Sequence, residues 1–154
     1  MMIKHPMSAT PCGACSCGTL RKASRRISQL YDAALAPSGL KSTQFAILAE
    51  VQRADGSASL TLCELAGAMV MDRSTLGHNL RPLQRDRLVV MRLARDDRRK
   101  RYVELTPRGK AVYRHARILW RSAERQFERA IGKRPAAKLR AVLHGIATNG
   151  SLMN

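Results

Sequence analysis

Apolar residues recur with a helical period along most of this chain. Leu20, Ala23, Ile27, Leu30, Ala34 and Leu35 form one stripe, with Arg21, Lys22, Arg25 and Arg26 on or beside the opposite side, until Pro37-Ser38-Gly39 ends the run. A second helix over about 42–53 places Phe45, Leu48 and Val51 inward, and Asp55-Gly56-Ser57 then makes a turn. Thr61 with Glu64 three residues on has the form of a capping box. The short helix it opens turns Leu62, Leu65, Ala66 and Met69 inward, and Cys63 is expected as a small core residue beside them. Asp72 can cap the next helix, which buries Leu76, Leu80 and Leu83 and leaves a polar, basic face free. Two short helices joined by a tight turn, the second basic, are the helix-turn-helix pattern. Pro82 lies inside the second helix and removes the amide that would bond the His78 carbonyl, which predicts a kink.

The period then changes to that of strands over 88–93 and 101–105, on either side of a highly charged loop. A hairpin placed after a helix-turn-helix is the wing of a winged helix. Thr106-Pro107 restarts helix as N-cap and first helical residue, and Val112, Ala116, Leu119, Ala123, Phe127 and Ala130 keep the spacing until Gly132-Lys133-Arg134-Pro135. A last helix carries Leu139, Val142, Leu143 and Ile146. The fold class is therefore mostly α with a small β-hairpin wing. Residues 1–18 lack periodicity and are expected to be a flexible N-terminal tail. Residues 19–149 form a single domain, with a winged-helix lobe over about 42–106 and helices over about 19–36 and 107–149. The apolar stripes of those outer helices exceed what so small a lobe can cover, which predicts a dimerisation region.

Charge changes this picture from a fold to a function. The 154 residues carry 28 Lys and Arg against 11 acidic residues, a net charge of +17. A field of that sign draws polyanions and makes their association fast and salt-sensitive. Arginine in particular suits phosphate forks and guanine edges. Aromatic residues are only 4%, so the core must be built from aliphatic side chains, a palette that suits helices. No carboxylate pair, Cys-His-Asn arrangement or glycine-rich phosphate loop falls where a fold would assemble it, so no enzyme and no cofactor is expected. The N-terminus does not read as a secretory signal, and no run approaches the ~20 apolar residues of a membrane span. A reducing, bacterial-type cytoplasm is the expected compartment. The four cysteines do not suggest a disulfide framework. Cys12, Cys15 and Cys17 are irregularly spaced and would need His5 or Cys63 to complete a zinc site, so no metal is expected.

The order of elements, together with three segments, resembles the MarR family of bacterial regulators. Met71-Asp72-Arg73-Ser74-Thr75-Leu76 followed by Asn79-Leu80 is similar to the family's recognition helix. Asp97-Arg98-Arg99 and Leu105-Thr106-Pro107-Arg108-Gly109 are similar to its wing and to the entry to its long helix. The likeness spans about residues 17–148. It implies a homodimer of intertwined terminal helices that binds a pseudo-palindromic double-stranded operator, commonly as a repressor. The chain departs from the family at Arg87, where a glycine is usual, and at His78, where many relatives have a longer basic side chain. If residue 87 is left-handed, arginine costs roughly 1 kcal/mol more than glycine there.

Arg73, Ser74, Thr75, His78 and Asn79 occupy the part of the recognition helix that meets base edges and phosphates, and Arg81 and Arg85 extend its basic face. The resemblance implies that Arg99 enters the minor groove, held in line by Asp97. Arg95, Arg98, Lys100 and Arg101 would then hold phosphates. It also implies an effector cleft between dimer region and DNA lobe for a small phenolic or aromatic ligand, with Arg25, Tyr31 and Trp120 as candidate lining. Cys17 lies near a helix N-terminus and Arg21, the setting in which cysteines are reactive. Counted from Tyr31, it falls at the sensing position of the family's hydroperoxide-responsive branch, although that branch's further tyrosines are here Arg21 and Ser42. A redox switch through Cys17 on the same scaffold is the alternative to a ligand switch.

Overall fold

The computed structural model describes residues 15–55, 59–93 and 100–153. The expectations placed on His5, Cys12, Arg95, Asp97, Arg98 and Arg99 fall outside those residues. Helices α1 (Ser16–Leu35) and α2 (Ser42–Ala54) are joined through a 3-10 turn at Ala36–Ser38. Strand β1 (Leu60–Thr61) leads into α3 (Leu62–Ala68) and α4 (Arg73–Arg85). Strands β2 (Val89–Leu93) and β3 (Arg101–Leu105) precede the long α5 (Pro107–Ile131), α6 (Lys133–Thr148) and a closing 3-10 turn, Gly150–Met153.

Residues 16–18 belong to α1 rather than to a tail. The helix is capped by Cys15, whose Sγ accepts the Gly18 amide at 3.4 Å. Sulfur is a weak acceptor and cysteine is not among the usual N-cap residues, so the sequence carries little signal for that start. Three further caps are as the sequence predicts, whereas the pairing of Lys41 with Gln44 at the start of α2 is one it does not predict. Thr61 and Glu64 form the reciprocal capping box of α3, Asp72 caps α4, and Thr106 caps α5. Helix α4 continues through Pro82 for three further residues without a break in its assignment.

Both helices of the helix-turn-helix end the same way. The amide of Met71 bonds the Ala66 carbonyl and that of Val70 bonds Gly67, while Leu88 bonds Leu83 and Arg87 bonds Gln84. These are Schellman motifs, which need a left-handed residue just past the helix. That residue is Val70 after α3 (φ +51°) and Arg87 after α4 (φ +57°). Arg87 is thus left-handed without being glycine. The α5–α6 junction, by contrast, does use a glycine, Gly132 at φ +93°.

The sheet has a strand that the hydrophobic pattern did not reveal. Its order is β1-β3-β2, all antiparallel, with Leu60 opposite Val103 and Val89 opposite Leu105. The core joins Phe45, Ile47 and Leu48 of α2 to Leu65, Leu76, Leu80, Leu83 and Val103, with Leu35 and Ala116 closing it from α1 and α5. The outer helices are covered on one side only. Leu20, Ile118, Ile131, Val142 and Ile146 are exposed in the single chain, and Ala136 is the only buried residue of α6.

Candidate nucleic-acid interface and effector cavity

Two carboxylates fix the helix-turn-helix. Asp72 accepts the Thr75 amide at 2.8 Å through Oδ1 and the Thr75 hydroxyl at 2.7 Å through Oδ2. Glu64 accepts the Thr61 amide at 2.8 Å and hydroxyl at 2.7 Å. These hydrogen bonds, to side chain and backbone, hold both carboxyls below their ordinary range. Each stays ionised at neutral pH and sits at a helix N-terminus, where negative charge is favourable.

Along α4, Arg73, Ser74, His78, Arg81 and Arg85 are exposed. Four of the predicted contact residues already have local partners, Arg73 through Cys63 among them. The Thr75 hydroxyl is committed to Asp72, and the Asn79 amide donates to the Thr75 carbonyl at 2.9 Å. Arg85 donates to Asp86 at 3.1 Å. Farther along, His78, Asn79, Arg81 and Arg85 share a shallow groove with Gln44 and Pro82.

Arg73 faces the wing. It shares a mixed polar and apolar hollow of about 640 Å³ with Lys100, Arg101 and Tyr102 of the wing side and with Cys63 and Glu64 of α3. The structure therefore brings three predicted cations, one from the recognition helix and two from the wing, to one concavity. Cys63 is exposed there rather than in the core, and its Sγ accepts from Arg73 Nη2 at 3.3 Å. The sequence held a signal for this: Cys63 lies off the stripe formed by Leu62, Leu65, Ala66 and Met69.

A second, mostly apolar cavity of about 390 Å³ opens between α1, α2 and α5. Ile27, Ser28, Tyr31 and Leu35 line it from α1, and Ser42, Phe45, Ala46, Ala49 and Glu50 from α2. Trp120 closes it from α5, and Met69, the residue that caps α3, reaches it from the helix-turn-helix. Phe45 stacks on both Trp120 and Tyr113, with ring centroids 5.9 and 5.6 Å apart. Tyr31 and Trp120, two of the three residues proposed from the sequence, line this cavity. Arg25 is exposed and is not part of the lining, because six residues along a helix put it far round the axis from Tyr31. The lining residues Ile27, Ser28 and Leu35 lie three or four residues from Tyr31, a spacing that the sequence did contain.

The Tyr31 hydroxyl donates to Glu124 Oε2. Burial, together with that hydrogen bond, raises the phenol well above its ordinary range, so Tyr31 stays protonated. Glu124 and Glu128 in turn accept from Arg140 of α6, so one polar network ties α1, α5 and α6 together. Cys17 is exposed in the first turn of α1, two residues from the capping Cys15.

A basic helix-turn-helix with an adjoining wing, carried on long outer helices, defines a DNA-binding regulator of the winged-helix class. The transcriptional regulator MosR of M. tuberculosis is 37% identical over 86% of this chain and 94% of its own, with a TM-score of 0.71. The same regulator in complex with DNA matches at 35% identity, 86% and 98% coverage and a TM-score of 0.69. A MarR-family regulator from Rhodococcus sp. RHA1 matches at 20% identity, 92% and 97% coverage and a TM-score of 0.77. No protein-family model matches the sequence, and none of the curated proteins does. The chain belongs to the MarR family of winged-helix transcriptional regulators and is not an enzyme. Among the described residues, no helix is long and apolar enough to cross a membrane.

Proposed function

We propose that this regulator is a homodimeric, cytoplasmic repressor that binds a pseudo-palindromic operator and is released from it by a small phenolic or aromatic ligand. The observation that carries the reading is the cavity under the Phe45–Trp120 stack. Because Met69 both caps α3 and lines that cavity, a ligand filling it would touch the helix-turn-helix directly. Exposed apolar residues on α1, α5 and α6 support the dimer. Arg73, Ser74, His78 and Asn79 face the bases and nearby phosphates in this reading, with Thr75, Arg81, Arg85, Lys100 and Arg101 flanking them. Arg95, Asp97, Arg98 and Arg99 supply the wing tip. The site is expected to span about 16 to 20 base pairs, with half-site centres roughly 34 Å apart.

Fluorescence anisotropy on a duplex from upstream of the protein's own gene tests this. Specific binding should be weakened by a small aromatic compound in the wild type and not in a variant whose cavity is filled, such as Ala49→Leu. Equal binding to random duplex would remove the operator reading. A redox switch is favoured by one specific observation, the pair of exposed thiols at Cys15 and Cys17 in one helical turn. Under that reading, mild peroxide should release the duplex from the wild type and leave Cys17→Ser bound.

A further inference from the structure

The cavity that the proposed function assigns to an effector has a charge character, and it is not that of a site for an aromatic acid. Among the described lining residues there is no Lys, Arg or His. The one ionised lining group is Glu50. Arg53 binds it from the solvent side, but both of its hydrogen bonds, at 3.1 and 2.8 Å, fall on Oε2, which leaves Oε1 free to accept. Tyr31 gives its only proton to Glu124, so its oxygen is left as an acceptor. Ser28 and Ser42 can serve as either partner. The polar part of the lining is therefore rich in acceptors, and its one charged group is a carboxylate that Arg53 pairs on a single oxygen, set against apolar walls and the Phe45–Trp120 stack.

We infer that the effector is an aromatic compound that donates hydrogen bonds, cationic or uncharged, with its ring against Phe45 and Trp120 and its donor end toward Glu50 and Tyr31. A carboxylate in the same place would face Glu50 and find no free cation among the described lining residues, Arg53 being already paired with Glu50, and would lose hydration without compensation. An ammonium or amidinium meets an opposite charge at a partly dry site, where such attraction is stronger than in water. A neutral amide or phenol finds acceptors without a charge conflict. This inference rests on the effector-cavity reading above, and the two can fail separately.

The test uses three probes that share one ring system: 2-naphthylmethylamine as cation, 2-naphthamide as neutral donor and 2-naphthoate as anion. Calorimetric titration of the full-length protein gives affinities, and the emission of Trp120, the chain's single tryptophan, reports where they bind. The amine and the amide should bind at least tenfold more tightly than 2-naphthoate, each quenching Trp120. Glu50→Gln should remove the amine's advantage over the amide, and Ala49→Leu should abolish binding of both. Binding of 2-naphthoate as tight as that of the amine overturns the inference and leaves the cavity reading intact. Undiminished preference for the amine in Glu50→Gln overturns it as well. If none of the three probes alters Trp120 emission at millimolar concentration, the effector-cavity reading falls, and this inference with it.

Discussion

Val70 and Arg87 hold left-handed backbone at the two ends that shape the helix-turn-helix, and neither is a residue that favours that region. A β-branched side chain at positive φ is an outlier, because its Cβ substituents crowd the flanking carbonyl. Val70 is also 71% exposed, so it recovers little by burial. Val70→Asn should therefore stabilise the protein by about 1 kcal/mol, since Asn tolerates left-handed backbone without the extra unfolded-state entropy of glycine. A rise of a few degrees in Tm by scanning calorimetry is the expected result, and an unchanged or lower Tm would mean that Val70 makes contacts that outweigh its strain. Arg73 is the residue whose role is most open to measurement. It leads α4, has no carboxylate partner among the described residues and is hydrogen-bonded to a thiol that it can leave at little cost. Arg73→Ala should lose about 1–3 kcal/mol on the operator and relax preference at one base pair, as expected for a guanidinium forked onto guanine. Arg99→Ala should instead weaken operator and random duplex alike, because minor-groove insertion responds to width and potential. Anisotropy titrations against operator, a one-base variant and random duplex separate the two; equal loss on all three in Arg73→Ala would make it a phosphate clamp.

At the scale of elements, one side chain and one glycine lock the wing to the long helix. The Thr106 hydroxyl donates to the Arg87 carbonyl at 2.7 Å and accepts the Gly109 amide at 2.9 Å, so it joins the end of α4 to the start of α5. Gly109 lies so close to β2 that a Cβ there would stand 1.9 Å from the Leu88 carbonyl oxygen. Backbone cannot yield that far without moving the helix. Gly109→Ala should cost about 3 kcal/mol, at the upper end of ordinary overpacking, seen as a lower midpoint in urea unfolding. A cost under ~0.5 kcal/mol would show that α5 can shift freely against the wing. The Thr106-Pro107-Arg108-Gly109 motif was legible in the sequence because a cap is a local device: donor and acceptor lie three residues apart. The same holds for Thr61 with Glu64 and for Asp72 with Thr75. What was not legible depends on distant partners. β1 is two residues long and exists only because Leu60 and Thr61 pair with Val103 and Tyr102. The cavity draws its walls from α1, α2, α5 and the end of α3, and of the three residues proposed from the sequence, Arg25, Tyr31 and Trp120, only the last two line it. Glu50, which gives the cavity its charge, looks in sequence like any solvated helix residue.

For the molecule as a whole, the outer helices and the charge make one argument. Val142 and Ile146 are one turn apart on α6, 54% and 47% exposed in the single chain, while the aliphatic core of the DNA lobe is closed without them. Apolar residues left exposed at that spacing are what a second copy would cover. Ile146→Asp should thus leave the fold of each chain intact, because the new carboxylate is solvated in the monomer, and should weaken the dimer at least tenfold by placing a charge against apolar surface. Light scattering at micromolar concentration should report about 17 kDa for the variant and twice that for the wild type, with helical circular dichroism unchanged. DNA binding then supplies an independent check. Each lobe neutralises its own set of phosphates, and log K falls against log salt by roughly 0.9 for every phosphate neutralised. A monomer that docks one lobe should therefore show about half the salt slope of the wild type, together with a large loss of operator affinity, while its weak binding to random duplex in dilute buffer persists. If Ile146→Asp scatters as a dimer, α6 is not at the interface and its apolar face has another occupant. If it scatters as a monomer but keeps the full salt slope, phosphate contact is not divided between two lobes, and the net charge of +17 acts along a surface broader than the recognition helix and the wing.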